Sequence, residues 1–216
     1  MIVALRAGML HELRLFLIAL QFLTRMPVPG WCGHEAGWLN QSVRHFPLVG
    51  ALVGAFGALA LIAASTWWPP TVAAVLASLA TLYVTGAFHE DGLADTFDAL
   101  GGHVPRDKAL AIMKDSRIGT YGVCALMVVL ALRTALLVVL LQNGTAAACV
   151  GLIGSNVVAR GGAVLLMGLL PYAGDVEHAK AKPLAVAVPR NSVLLAMVST
   201  MAIICLLYTS PSPRDS

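Results

Sequence analysis

Apolar and polar positions along this chain fall into long blocks. Residues 47–68, 71–88, 119–141, 146–170 and 193–208 are runs dominated by Ala, Leu and Val. A spanning helix needs about 20 mostly apolar residues, and backbone groups in lipid must bond within their own segment. The pattern therefore predicts an all-α fold: a polytopic transmembrane helix bundle of about five spans. Residues 13–23 are apolar but short, and predict a short N-terminal interfacial or re-entrant helix ended by Pro27 and Pro29. Gly50 and Gly54 stand four apart in the first span and predict close helix packing. Trp67 and Trp68 before Pro69 and Pro70 mark its far interface and a tight turn.

Composition agrees with a membrane protein. The chain is 58% hydrophobic and 12% charged, with a mean hydropathy of +0.81. Soluble domains carry about 25% charged residues. The net charge of +3 is too small to call for nucleic acid, and no nucleic-acid partner is expected. Its placement speaks instead to orientation. The turns at 69–70 and 142–145 carry no charge, so the positive-inside rule puts 1–46, 89–117 and 171–192 in the cytoplasm. The expected location is a membrane crossed several times, with the bilayer itself as a partner and a homo-oligomer admitted. Cys32, Cys124, Cys149 and Cys205 form no C-x-x-C pair and read as small buried hydrophobes. Cys32 with His34 is too slight a pattern to propose a metal. His11, His45, His103 and His178 are scattered and receive no chemistry. Residues 1–208 are read as one integral-membrane catalytic domain. Residues 209–216 are read as a non-native-looking Ser/Pro tail on a chain truncated at its C-terminus.

The polar exception is residues 86–122, which hold six of the eleven acidic residues. Asp91, Asp95 and Asp98 are spaced i, i+4, i+7, which on a helix aligns three carboxylates in one stripe. Such a stripe is usually a solvated face. Here charge is scarce elsewhere, the stripe begins where an apolar run ends, and Arg106, Lys108, Lys114 and Arg117 follow at once. Mg²⁺ bridging carboxylates to substrate phosphates would relieve the repulsion, and the basic residues suit phosphate oxygens. Deeper in the bundle, Arg133 and Arg160 interrupt apolar runs. Both are costly in lipid and are expected to face the bundle interior or a wet cavity, with partial snorkelling open to Arg133, which lies nearer its span end. Arg160 is near mid-span, one helical turn after Asn156, and is expected to face the carboxylate cavity and help hold an anionic substrate.

The words HEDGLADTFDALGG (89–102) and IMKDSRIGTYG (112–122) together resemble the cobalamin synthase family of membrane enzymes. FLTRMPVP (22–29) and FPLVG (46–50) are similar to that family's N-terminal words, and the likeness runs over roughly residues 10–205. The resemblance implies an adenosylcobinamide-GDP ribazoletransferase. Its substrates would be adenosylcobinamide-GDP and alpha-ribazole or its 5′-phosphate; its products would be adenosylcobalamin or its 5′-phosphate, and GMP. It implies Mg²⁺ held by Asp91, Asp95 and Asp98, with Asp115 a further ligand. Lys114, Arg117 and Arg106 would balance charge on the leaving phosphate. His89 or an acidic residue would take the acceptor's proton, and His89 is equally readable as a hydrogen-bonded interfacial histidine. Arg160, Lys182, Gly92 and Gly119 complete the expected substrate-binding set.

Two other classes stay open on residues alone. One is another Mg²⁺-dependent membrane transferase of diphosphate substrates, of prenyltransferase or CDP-alcohol phosphotransferase type. The other is an ion-coupled transporter, which favours carboxylates near mid-membrane; here they cluster at one mouth.

Overall fold

The computed structural model describes residues 2–33, 35, 37–172 and 188–209. Among them the fold is helical, with no strand. In chain order the helices are α1 (Ile2–Leu23), α2 (Trp38–Ser42), α3 (Phe46–Ser65), α4 (Pro70–Thr85), α5 (Phe88–Gly101), α6 (Arg106–Ile112), α7 (Thr120–Gln142), α8 (Thr145–Leu169) and α9 (Arg190–Thr209). Short 3₁₀ turns occupy Gly30–Cys32 and Val43–His45. The segment from α2 through α3, together with α7, α8 and α9, supplies four helices long and apolar enough to cross a bilayer. Helices α4 and α5 form a fifth, broken unit, bent by 90°. The five apolar runs read from the chain thus recur as α3, α4, α7, α8 and α9.

Helix α3 is the centre of the bundle, packed between α4 and α8. Its glycines make this possible. A Cβ on Gly50 would lie 2.5 Å from the Asn156 carbonyl oxygen, and one on Gly54 would lie 2.6 Å from the Ile153 Cα. Only a bare backbone allows α3 and α8 to approach so closely, as small-residue packing in membranes requires. The first cluster of the core, at the end where α5 lies, joins Leu23, Phe46, Val49, Val84, Val164 and Ala196. The second, at the end of the uncharged turns, joins Leu61, Ala73, Ala77, Leu137, Ala148 and Leu152. Outward positions such as Leu59, Leu79, Met127, Leu132 and Leu166 stay exposed, as expected of faces meant for lipid.

The N-terminal helix differs from expectation. It runs over Ile2–Leu23 rather than 13–23. The apolar stretch ends early, but Ala, Leu, Arg, Met and Glu are strong helix formers, so the helix continues through charged positions. One of those charges, Glu12, ties the helix to its neighbours. Glu12 accepts hydrogen bonds from the Arg44 guanidinium at 2.8 Å and pairs with His45 Nε2 at 3.0 Å. Arg44 also donates to Ser192 Oγ on α9 at 3.1 Å, so His45 belongs to a clasp between α1, the second 3₁₀ turn and α9.

Proline and glycine set the remaining boundaries. Pro47 and Pro70 sit in the first turns of α3 and α4, where a missing N–H is harmless. Gly86 (φ 66°) closes α4 in the left-handed region, where glycine carries no Cβ penalty. Ala87 follows with φ 57°, and the two together turn the chain into α5.

Candidate active site at the mouth of the bundle

The bend at Gly86 and Ala87 lays α5 across the end of the bundle, and a cavity of about 540 Å³ opens beside it. Asp91 and Asp95 line it from consecutive turns of α5. Arg25 lines it from the segment after α1; Ser116, Arg117 and Ile118 line it from the loop before α7. Its apolar walls come from Phe22, Phe88, Ala94 and Leu126. With Glu90 beside Asp91, three carboxylates and two guanidiniums therefore line one partly dehydrated space.

Asp98 does something else. Its Oδ2 accepts the Gly119 N–H at 2.7 Å, and its Oδ1 accepts the Gly122 N–H at 2.8 Å. These donors belong to the first turn of α7, whose N–H groups lack intrahelical partners. A carboxylate there is also favoured by the helix dipole. Spaced i+7 from Asp91, Asp98 shares its side of α5 but lies about 10 Å further along it, which brings it to the start of α7 and beyond the cavity lining. The expected convergence of three carboxylates on one cavity is thus met by Asp91 and Asp95 and departed from by Asp98. Among the described residues, no three His, Cys, Asp or Glu side chains gather closely enough to hold a metal ion by themselves. Two carboxylates on one face still fit a cation shared with substrate phosphates, because Mg²⁺ is usually bound through one or two carboxylates plus those oxygens.

The other predicted residues separate. Asp115 is occupied by Arg117: the guanidinium donates to both carboxylate oxygens, the shortest contact being 2.6 Å, and the Arg117 N–H donates at 3.1 Å. These hydrogen bonds hold the Asp115 carboxyl at about 2, below the usual carboxylate range. Asp115 thereby orients Arg117 and is not part of the cavity lining. Lys114 and Arg106 are exposed and also lie outside the lining. His89 is outside it too, its ring edge-to-face with Phe88 at 5.4 Å. Gly92 is exposed, and a Cβ there would meet nothing within 4 Å. Gly119 commits its N–H to Asp98. Lys182 lies outside the described residues.

Both membrane arginines turn inward, and Arg160 departs from its expected place at the cavity. Arg160 is 3% exposed and donates to the Asn156 carbonyl at 3.2 Å and to Asn156 Oδ1 at 2.9 Å. The expected pairing with Asn156 is present, but Arg160 does not line the cavity. The i, i+4 spacing satisfies its guanidinium along its own helix, against bare Gly50. Arg133 turns inward, as expected of a charge within a span, rather than snorkelling. It donates to Thr81 Oγ1 on α4 at 2.8 Å, and its other terminal nitrogen is 3.9 Å from Glu90 Oε1. A polar partner inside the bundle outweighs the reach to the interface.

Arg25 and Glu90 are the cavity residues that the spacing argument passed over. Glu90 is adjacent to the stripe but off its period. Arg25 had a signal, since it lies in the FLTRMPVP word. It packs on Gly86, where a Cβ would collide with its Nε, and its own N–H bonds the Val84 carbonyl at 2.8 Å.

Fold and site define a polytopic helical membrane protein with an acidic and basic cavity at one mouth of the bundle. The chain belongs to the cobalamin-5-phosphate synthase family, whose pattern it matches over residues 15–213. A relative from Leptothrix cholodnii is 50% identical over 199 residues, covering 92% of this chain and 75% of its own length. A relative from a Polaromonas species is 43% identical, covering 89% of this chain and 76% of its own. One from Shewanella amazonensis is also 43% identical, with coverage of 92% and 76%. All three are named adenosylcobinamide-GDP ribazoletransferase. No solved structure matches the chain. The chain is thus an enzyme of cobalamin biosynthesis, and the prenyltransferase, CDP-alcohol phosphotransferase and transporter readings are not favoured.

Proposed function

We propose that the chain transfers the cobinamide-phosphate part of adenosylcobinamide-GDP to alpha-ribazole or alpha-ribazole 5′-phosphate, with GMP as the leaving group. The observation that carries this reading is the cavity where Asp91 and Asp95 face Arg25 and Arg117. Phosphoryl transfer asks a protein mainly for positioning and charge neutralisation. The acceptor's hydroxyl oxygen forms a bond to the phosphorus that carries the corrinoid arm. The bond from that phosphorus to the bridging oxygen breaks, and GMP departs with the electron pair. The hydroxyl proton leaves to a basic group.

The residues divide this work. Arg117, oriented by Asp115, and Arg25, braced on Gly86, supply guanidinium donors for diphosphate oxygens. Phe22, Phe88 and Leu126 limit water at the reacting phosphorus. Asp91 and Asp95 would hold Mg²⁺, which neutralises diphosphate charge when bound. The absence of charge from the turns at the opposite end supports a reading in which this mouth opens on the cytoplasmic side of a bacterial inner membrane, where the nucleotide substrate is available.

The test is GMP release by the purified chain in lipid nanodiscs, given adenosylcobinamide-GDP, alpha-ribazole and Mg²⁺. Release that depends on ribazole is expected. Asp91→Asn and Asp95→Asn should each lower turnover by about 100-fold or more, since charge stabilisation in phosphoryl transfer is worth several kcal/mol. Ribazole-independent GMP release would replace transferase by hydrolase. Full turnover of Asp95→Asn at saturating Mg²⁺ would remove that carboxylate from the site.

A further inference from the structure

Where Glu90 lines the cavity, its carboxylate also meets charges set deeper in the bundle. Glu90 precedes Asp91 in the first turn of α5, with its side chain 21% exposed. One carboxylate oxygen is 3.9 Å from the Arg133 guanidinium; the other is buried with no hydrogen-bond partner. Arg160, from α8, interacts electrostatically with both Glu90 and Arg133, and its Nε is likewise buried and unpartnered. A guanidinium from a spanning helix thus meets a carboxylate from a helix that does not span, with the Arg160 charge close enough to act on both. In a low-dielectric interior, removing that carboxylate leaves the Arg133 charge without its anionic partner and near a second cation.

Helix α5 has a second attachment. Asp98 binds the first turn of α7. The two anchors stand eight residues apart, about 12 Å along the helix. Asp91 and Asp95 lie between them.

We propose that Glu90 is a positioning residue: its carboxylate, paired with the half-buried guanidinium of Arg133, tethers the first turn of α5 to the bundle and so holds Asp91 and Asp95 at the cavity. The proposal rests on the assigned reaction only in treating Asp91 and Asp95 as substrate-side groups. The tether itself is a matter of charge and packing. Its logic is that of a catalytic shell whose geometry depends on the residues behind it.

The experiment compares the full chain with Glu90→Gln, Arg133→Gln and the double variant in nanodiscs, by amide hydrogen exchange and by GMP release. Glu90→Gln is expected to raise exchange over 90–96 by about ten-fold and to lower kcat by a similar factor, with KM nearly unchanged. Removing the surplus cation as well should reverse much of both effects, so the double variant outperforms Glu90→Gln. A double variant no better than Glu90→Gln overturns the proposal, as it would if Glu90 itself took the acceptor's proton. Exchange that rises equally through α7 and α8 also overturns it, because Glu90 would then serve general stability alone. If Glu90→Gln does not fold, Glu90→Asp and the double variant give the same comparison. If the unmodified chain releases no GMP, the assigned reaction fails, while exchange over α5 still decides the tether.

Discussion

The link between Asp98 and Gly119 gives a sharp test of the site's framework. Asp98 receives two N–H groups at 2.7 and 2.8 Å. Hydrogen bonds to a charged group contribute about 1.5–3 kcal/mol each. Asp98 is half-buried, so the lower end applies, and Asp98→Ala should destabilise the protein by about 3 kcal/mol. Gly119 makes the complementary probe. Its backbone (φ −100°, ψ 179°) suits any residue. A Cβ there would lie 2.5, 2.9 and 3.2 Å from Asp98 Oδ1, Cγ and Oδ2, and those are the three nearest atoms. Gly119→Ala should therefore cost about 1–3 kcal/mol by overpacking, entirely through the Asp98 carboxylate. With Asp98→Ala in place the obstruction is gone, and the penalty should largely disappear. Reversible denaturant unfolding in bicelles of the single and double variants measures this coupling. Additive penalties would refute the reasoning and mean that Gly119 is required for some reason other than its carboxylate neighbour. GMP release should fall with Asp98→Ala as well, because Ser116 and Arg117 reach the cavity from the segment that Asp98 secures.

Gly54→Leu should separate α3 from α8, since even a Cβ would lie 2.6 Å from Ile153 Cα; a loss of at least ~1–3 kcal/mol is expected from thermal or denaturant melts, and wild-type stability would contradict the close packing. For orientation, a cysteine at Gly144 in a chain freed of native cysteines should react with an impermeant external maleimide, whereas one at Gly102 should not; the reverse pattern would invert the topology. Arg117→Gln should let the Asp115 carboxyl rise from about 2 toward its ordinary value, read by NMR titration of a carboxyl-labelled sample. Because the pairing lowers the folded-state pKa, its stabilisation is present above the ordinary value near 4 and is lost as pH falls toward 2.

The apolar blocks alone determined the spans. Burial in lipid is decided by local composition, and each helix satisfies its own backbone, so α3, α4, α7, α8 and α9 were legible within a few residues. Gly50 and Gly54 were legible for the same reason, since their spacing lies within one helix. The stripe of Asp91, Asp95 and Asp98 was legible as helical periodicity, and the two central words as family membership. Tertiary structure decided which charge meets which. Periodicity places Asp98 with Asp91, but the start of α7 stands opposite it and takes both oxygens. Asp115 has the composition of a ligand, yet its near neighbour Arg117 occupies it. Arg133 sits nearer its span end along the sequence, yet Thr81 and Glu90 draw it inward. Arg160 looked like a substrate contact because a charge in lipid needs a partner; spacing offered Asn156, and only packing showed that this pair, against bare Gly50, keeps Arg160 out of the cavity lining. Arg25 reaches the site from more than sixty positions away because Gly86 leaves room for it. Spacing along one helix reports which residues share a face; the identity of the opposing face is set by long-range packing, which carries no local signal.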